Sequence, residues 1–184
     1  MSDNRPDFSE TRLDGKTVFL GNVVRVETAR VGLPDGGESA REVVYHPGAA
    51  VIVPLLDNDT VLLEWQFRYA LGRHIWEFPA GKLEPDEEPR FAAERELLEE
   101  TGYRAKRWDT MLSMETSPGF CNEIAHLFLA RGLHYEGHPG EKDEFVEAVP
   151  VSLEKAFAMV QESVITDAKT IVGLYWLALN KARL

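Results

Sequence analysis

Two hydrophobic periods alternate along this chain, and they predict its elements. Residues 16–20 and 22–31 are rich in Val, Thr and Phe, and residues 41–45 resume that pattern after the Leu33-Pro-Asp-Gly-Gly37 turn. These read as strands. Residues 49–56 are almost wholly apolar, as a buried strand is, and Asp57-Asn58-Asp59 then turns the chain into a strand over 61–69. A short strand over 75–78 leads into a loop at Gly81. The period then changes. Residues 91–101 are rich in Ala, Leu, Glu and Arg, which predicts a helix, with Pro89 in its first turn and Gly102 as its stop. Strands follow over 105–116, 125–130 and 145–149. A helix starts at Ser152, and a last one, amphipathic over 168–181, starts at Thr166-Asp167.

One central helix with strands on both sides, then two terminal helices, predicts an α/β fold: an α/β/α sandwich around a mixed sheet. The strands of residues 1–47 exceed what that core needs, so residues 48–184 are read as the main domain. Trp65, Trp76 and Trp176 read as core, His126 as a strand residue and Cys121 as a small packing residue.

The predicted helix changes the picture from fold to chemistry. Eight acidic residues lie between Glu84 and Glu100. Glu96, Glu99 and Glu100 share one helix face, and Ala92, Ala93 and Leu97 lie on another, suited to a sheet. Carboxylates this dense repel one another unless a cation neutralises them, and oxygen ligands suit Mg²⁺ or Mn²⁺. Arg95 stands four residues before Glu99, close enough to hold it. At this spacing alone, a solvated acidic face explains the same residues.

The full spacing resembles the Nudix hydrolase box: Gly81, Glu87, Arg95-Glu96-Leu97, Glu99-Glu100 and Gly102 all fall in register. Tyr103 departs, since an aliphatic is usual at that packing position. Ser117-Pro118-Gly119-Phe120, with Pro118 fifteen positions beyond Tyr103, is similar to the ADP-ribose pyrophosphatase branch, as are Trp76–Gly81 and Gln66–Tyr69. The resemblance spans roughly residues 51–149 and implies the Nudix fold. It implies hydrolysis of ADP-ribose to AMP and ribose 5-phosphate, with another nucleotide sugar (GDP-mannose, ADP-glucose) or a non-catalytic ADP-ribose-binding regulator as alternatives. It also implies roles. The Ala80 carbonyl, Glu96, Glu100 and Glu99 are expected at Mg²⁺ or Mn²⁺, with Glu99 as ligand or base. The base in this branch often comes from a late loop, here with Glu144 as first candidate and Glu141 as second. Arg68 and Arg73 are expected at phosphates or the terminal ribose, and Pro118, Phe120 and Glu123 at the substrate. Glu87 is expected to hold metal-bound waters or to pair with Arg95. By the same resemblance, an aromatic from the N-terminal strands is expected to stack adenine, and those strands are expected to form a homodimer.

Composition narrows the partners. A net charge of −11 disfavours nucleic acid and anionic membranes. No apolar run reaches the length of a membrane span, the N-terminus lacks a secretory pattern, and one cysteine allows no internal disulfide, so a cytoplasmic location is expected.

Overall fold

In the computed structural model, residues 5–137 and 145–180 are described. The chain divides into two compact units, residues 1–47 with 115–124, and residues 48–114 with 125–184.

The first unit contains β1 (Thr11–Leu20), β2 (Arg25–Gly32) and β3 (Glu38–Tyr45), an antiparallel sheet in that order. β1 extends further toward the N-terminus than the pattern predicts. Its residues are all exposed, so no buried face marked its start. The Leu33–Gly37 turn closes with a bond from the Leu33 N–H to the Gly37 carbonyl, 2.8 Å.

The second unit is the α/β/α sandwich. β4 (Ala49–Asp57), β5 (Thr60–Arg68), β8 (Tyr103–Glu115), β9 (Ile124–Tyr135) and β10 (Val146–Ser152) form a sheet in the order β10-β5-β4-β9-β8. β6 (Arg73–Glu77) pairs with β5, and β7 (Ala80–Lys82) pairs with β4. β4 runs parallel to β9 and antiparallel to β5, so the sheet is mixed. Alternation along β4 assigns its two faces. Val51, Val53 and Leu55 join a core with Leu127, Leu129, Phe78, and with Ala156 and Met159 of α2 (Leu153–Gln161) and Leu174 and Leu177 of α3 (Ala168–Asn180). Ala50 and Ile52 face the other way, onto Ala92, Ala93 and Leu97 of α1 (Pro89–Thr101). The small Ala92 and Ala93 let α1 lie close on the sheet, its charged face left for the site.

Both ends of α1 follow from sequence. Pro89 occupies the first turn, where no N–H donor is needed, and Gly102 ends the helix at φ 74°, a left-handed conformation that favours glycine. Tyr103 packs against the α1-side core and meets the edge of Tyr135, ring centroids 5.3 Å apart. The helix starts at Ser152 and Asp167 are capped as expected: the Ser152 hydroxyl accepts from Lys155 N–H at 3.2 Å, and Asp167 accepts from Thr170 N–H at 2.9 Å.

Two expectations need correction. Residues 80–82 are not a loop but the strand β7, paired Ala49↔Lys82, Ala50↔Gly81 and Val51↔Ala80. The three tryptophans are half-buried, not core. Trp76 and Trp176 pack against the edge of the larger core, while Trp65 stacks on His74 with centroids 5.2 Å apart, on a face of the β5–β6 hairpin.

Candidate functional site

The site of the second unit forms where β7 meets α1. Pairing on β4 fixes the Ala80-Gly81 backbone beside the charged face of the helix. The Glu96 side chain lies directly over Gly81, where a Cβ would overlap its carboxylate. Glycine is therefore required by close approach. One turn on, Glu100 accepts a hydrogen bond from the Ala80 N–H at 3.0 Å. Both carboxylates are buried, Glu96 at 8% exposure and Glu100 at 3%. Burying two acids this close is costly unless cations and donors offset it.

Arg95 supplies part of that offset. Its Nε and Nη2 each donate to Glu87 at 3.1 Å, and its Nη1 donates to Glu96 at 2.7 Å and Glu99 at 2.9 Å. One planar guanidinium thus ties three acidic side chains of the box together. The bond to Glu87, opposed by partial burial and reinforced by Glu96 and Glu99, raises the Arg95 pKa well above its ordinary value. The same bond holds Glu87 below the usual carboxylate range. The expected Arg95–Glu99 pair is present, and Glu87 takes the pairing role.

Around these groups lies a cleft of about 250 Å³ lined by Arg68, Ala80, Gly81, Lys82, Glu84, Arg95, Glu96 and Glu100. Arg68 donates from Nε to Glu77 at 2.6 Å. Burial works to lower the Arg68 pKa, but the Glu77 bond and the nearby Glu100 and Glu64 charges raise it overall.

The donor set fits a hard divalent cation. Glu96 and Glu100 are buried carboxylates meeting at a glycine backbone, and Ala80, whose carbonyl is the expected third donor, lines the same cleft. Among the described residues no three His, Cys, Asp or Glu side chains are gathered as a ready metal cage, since Arg95 draws Glu99 and one oxygen of Glu96 to itself. Glu99 does not line the cleft.

The other expected residues are distributed as follows. Arg73 does not line the cleft, and its guanidinium donates to the Thr166 hydroxyl at 2.9 Å. Glu141 and Glu144 lie outside the described residues. His126 is a β9 residue bonded to the Ser113 hydroxyl at 2.8 Å.

Pro118, Phe120 and Glu123 belong to the first unit. Residues 117–121 form a tight turn, with Phe120 and Cys121 N–H groups both bonded to the Ser117 carbonyl. The turn is tied to β3 by Val44 N–H to the Phe120 carbonyl at 2.8 Å and Asn122 N–H to the Val44 carbonyl at 3.2 Å. Glu123 accepts from the Thr116 hydroxyl at 2.5 Å and has His46 Nδ1 at 3.5 Å. Pro118 and Phe120 line a second hollow, about 520 Å³, with Arg12, Arg41 and Tyr45. Sequence reasoning named none of those last three. Arg25 covers the Tyr45 ring at 3.9 Å, and Glu27 accepts from the Tyr45 hydroxyl at 3.3 Å. The strand pattern placed Arg25, Glu27, Arg41 and Tyr45 on strands, left Arg12 outside them, and carried no signal that separate strands bring these residues together. Lys82 and Glu84 of the first cleft were missed for the same reason.

Comparison with known proteins shows the family. The NUDIX domain model matches residues 45–171. An ADP-ribose pyrophosphatase of Bacillus subtilis (strain 168) is 42% identical over 177 residues, covering 95% of this chain and 96% of the relative. A methanol dehydrogenase activator of Bacillus methanolicus is 38% identical over 177 residues, with the same coverage of 95% and 96%. A crystal structure of an ADP compounds hydrolase superposes with a TM-score of 0.86 at 22% identity, covering 97% of this chain and 98% of that one. With the family's domain matched across more than half of the chain and its box folded around the Ala80-Gly81 backbone, this chain belongs to the NUDIX family and is a Nudix hydrolase.

Proposed function

We propose that this chain hydrolyses the diphosphate of ADP-ribose to AMP and ribose 5-phosphate, with Mg²⁺ as the working cation. The observation that carries the reading is the convergence of buried Glu96 and Glu100 on the Ala80-Gly81 backbone, with Arg68 on the wall of the same cleft. The likeness to an ADP-ribose pyrophosphatase over nearly the whole chain supports the choice of substrate. Glu96, Glu100 and the Ala80 carbonyl would hold the divalent cation, and Glu99, once released from its Arg95 bond, would be a further ligand or base. When bound, the cation neutralises charge on the diphosphate and lowers the pKa of a water. Arg68 grips a phosphate with the N–H groups that Glu77 leaves over. Glu144, with Glu141 as second choice, takes the proton of the attacking water. Pro118, Phe120 and Glu123 contact the substrate, and Arg73 serves the terminal ribose.

Residues 1–47 are proposed as the dimerisation extension of a homodimer. The exposed Leu13, Val18, Phe19 and Leu20 of β1 support that, because an apolar edge strand left open invites pairing. The single cysteine supports a cytoplasmic location, and no helix among the described residues is long and apolar enough to cross a membrane.

The test is a substrate panel with Mg²⁺ and the purified chain. ADP-ribose should show a higher kcat/KM than GDP-mannose, ADP-glucose, ATP or NAD. A clearly greater kcat/KM for GDP-mannose would overturn the substrate. The likeness to a dehydrogenase activator favours a second, regulatory reading, which predicts ADP-ribose binding without turnover. Turnover in the same panel rejects it.

A further inference from the structure

The proposed mechanism gives no role of its own to the buried acid behind Arg68. Glu77 is 1% exposed, at the end of β6, and pairs in register with the equally buried Glu64 of β5. One Glu77 oxygen accepts from Arg68 Nε at 2.6 Å. The other, Oε2, makes no hydrogen bond among the described residues and faces Lys169 Nζ at 3.9 Å. A buried carboxylate held so sparingly needs a reason, because an apolar side chain of similar size fills such a space at lower cost.

The surroundings are rigid. Phe78, next in the chain, donates its N–H to the Thr170 hydroxyl at 2.8 Å, and Thr170 in turn donates to Asp167 at 2.8 Å. Lys169 is also bound to Asp167 at 2.5 Å. The start of α3 is thereby pinned beside Glu77, and β5–β6 pairing fixes the strand that carries Arg68. Arg68 makes no other hydrogen bond among the described residues, so Nε is spent on Glu77 and both Nη groups remain for the cleft it lines.

We propose that Glu77 and Lys169 are positioning residues for Arg68: the buried Glu77 carboxylate, fixed between the two cations, aims the Arg68 guanidinium at the substrate diphosphate. This rests on the reading of Arg68 as a phosphate-binding residue. Glu77 orients by accepting from Nε. Lys169, 3.9 Å from the other Glu77 oxygen, holds the acid from the far side, so that Arg68 is not left to pull it into the cleft. The arrangement prepays the ordering of a long, flexible side chain before substrate arrives.

A double-mutant cycle tests it. KM and kcat for ADP-ribose, and calorimetric binding of α,β-methylene-ADP, are measured for Glu77→Gln, Arg68→Ala, both together, and Lys169→Met. Glu77→Gln should raise KM and weaken analogue binding about tenfold, the effect of one charge-assisted bond, while kcat stays within about twofold. In the Arg68→Ala background the same change should do nothing further. Lys169→Met, at a partly exposed position, should shift KM in the same direction by less, and stands in if Glu77→Gln does not fold. Equal losses from Glu77→Gln with and without Arg68, or a fall in kcat at unchanged KM, would overturn the proposal. If another nucleoside diphosphate proves to be the substrate, the proposed function falls, and the cycle on that substrate still decides the role of Glu77.

Discussion

Replacing Gly81 with alanine is the sharpest test of how this site is built. The added Cβ would occupy the space now filled by the Glu96 carboxylate. Gly81 is not in a left-handed conformation, so alanine brings no backbone strain, and the whole effect must come from displacing Glu96. Displacement breaks the 2.7 Å bond from Arg95 to Glu96. Losing one such charged bond costs about 1.5–3 kcal/mol of stability, a loss that a well-packed domain survives. Activity should suffer more. A catalytic group misplaced by about 1 Å can lose about 100-fold in rate, and Glu96 must move by more than that to clear a methyl group. We expect Gly81→Ala to fold, with unchanged far-ultraviolet circular dichroism and a lower Tm, and to lose at least about 100-fold in kcat with Mg²⁺ saturating. Gly32→Ala, where a Cβ meets only ordinary contacts at 3.7 Å, is the control and should retain full activity. A Gly81→Ala enzyme with near-native kcat would show that the Glu96 position over this glycine is irrelevant to catalysis.

Four further outcomes are expected. Glu96→Gln and Glu100→Gln should each lower turnover by several orders of magnitude, and EDTA should abolish native activity, since an amide holds Mg²⁺ poorly; near-normal rates would remove both residues from the cation site. Glu144→Gln should reduce kcat far more than Glu141→Gln with little change in KM, and the reverse order would move the base to Glu141. Leu97→Ala, at a fully buried position between α1 and the sheet, should cost about 2–5 kcal/mol in denaturant unfolding and leave the cleft chemistry intact. Burial lowers the His126 pKa below its ordinary 6.5; the unfolded chain therefore takes up that proton first, stability is complete above pH 6.5 and falls below it, and His126→Asn should flatten that part of a Tm-against-pH profile.

The parts of the fold that sequence announced are those long enough to show an unbroken apolar run or a helical period. β4 reads as an unbroken apolar run because both its faces are covered, and α1 shows its sheet-facing side as Ala92, Ala93 and Leu97. β7 escaped because three residues, one of them glycine, carry no period, and its pairing partner lies about thirty positions earlier on β4. Trp65 escaped because bulk suggests a core, whereas the ring lies on a hairpin face against His74.

The site divides along a similar line. Box spacing located Glu96, Glu99, Glu100 and Arg95 because helical geometry makes three- and four-residue intervals into contacts. The resemblance set Glu99 apart as ligand or base, but spacing could not show what holds each carboxylate. Only the fold shows that Glu100 is held by the Ala80 N–H, that Glu96 rests on Gly81, and that Glu99 is bound to Arg95 instead of facing the cleft. The charge balance follows from that division. A chain of net charge −11 must receive a diphosphate, and its field at long range opposes the approach. What counts at the cleft is the local balance. Arg95 neutralises much of the acidic helix face, Arg68 stands on the wall with its own counter-ion Glu77 set behind it, and Glu96 and Glu100 remain beside the backbone where a divalent cation fits. On the proposed reading, the acidic helix would attract the metal without confronting the phosphate directly. Reversing one local sign, as in Arg95→Glu, should cost far more than any change of net charge at an exposed position such as Glu154, even though both alter the same total.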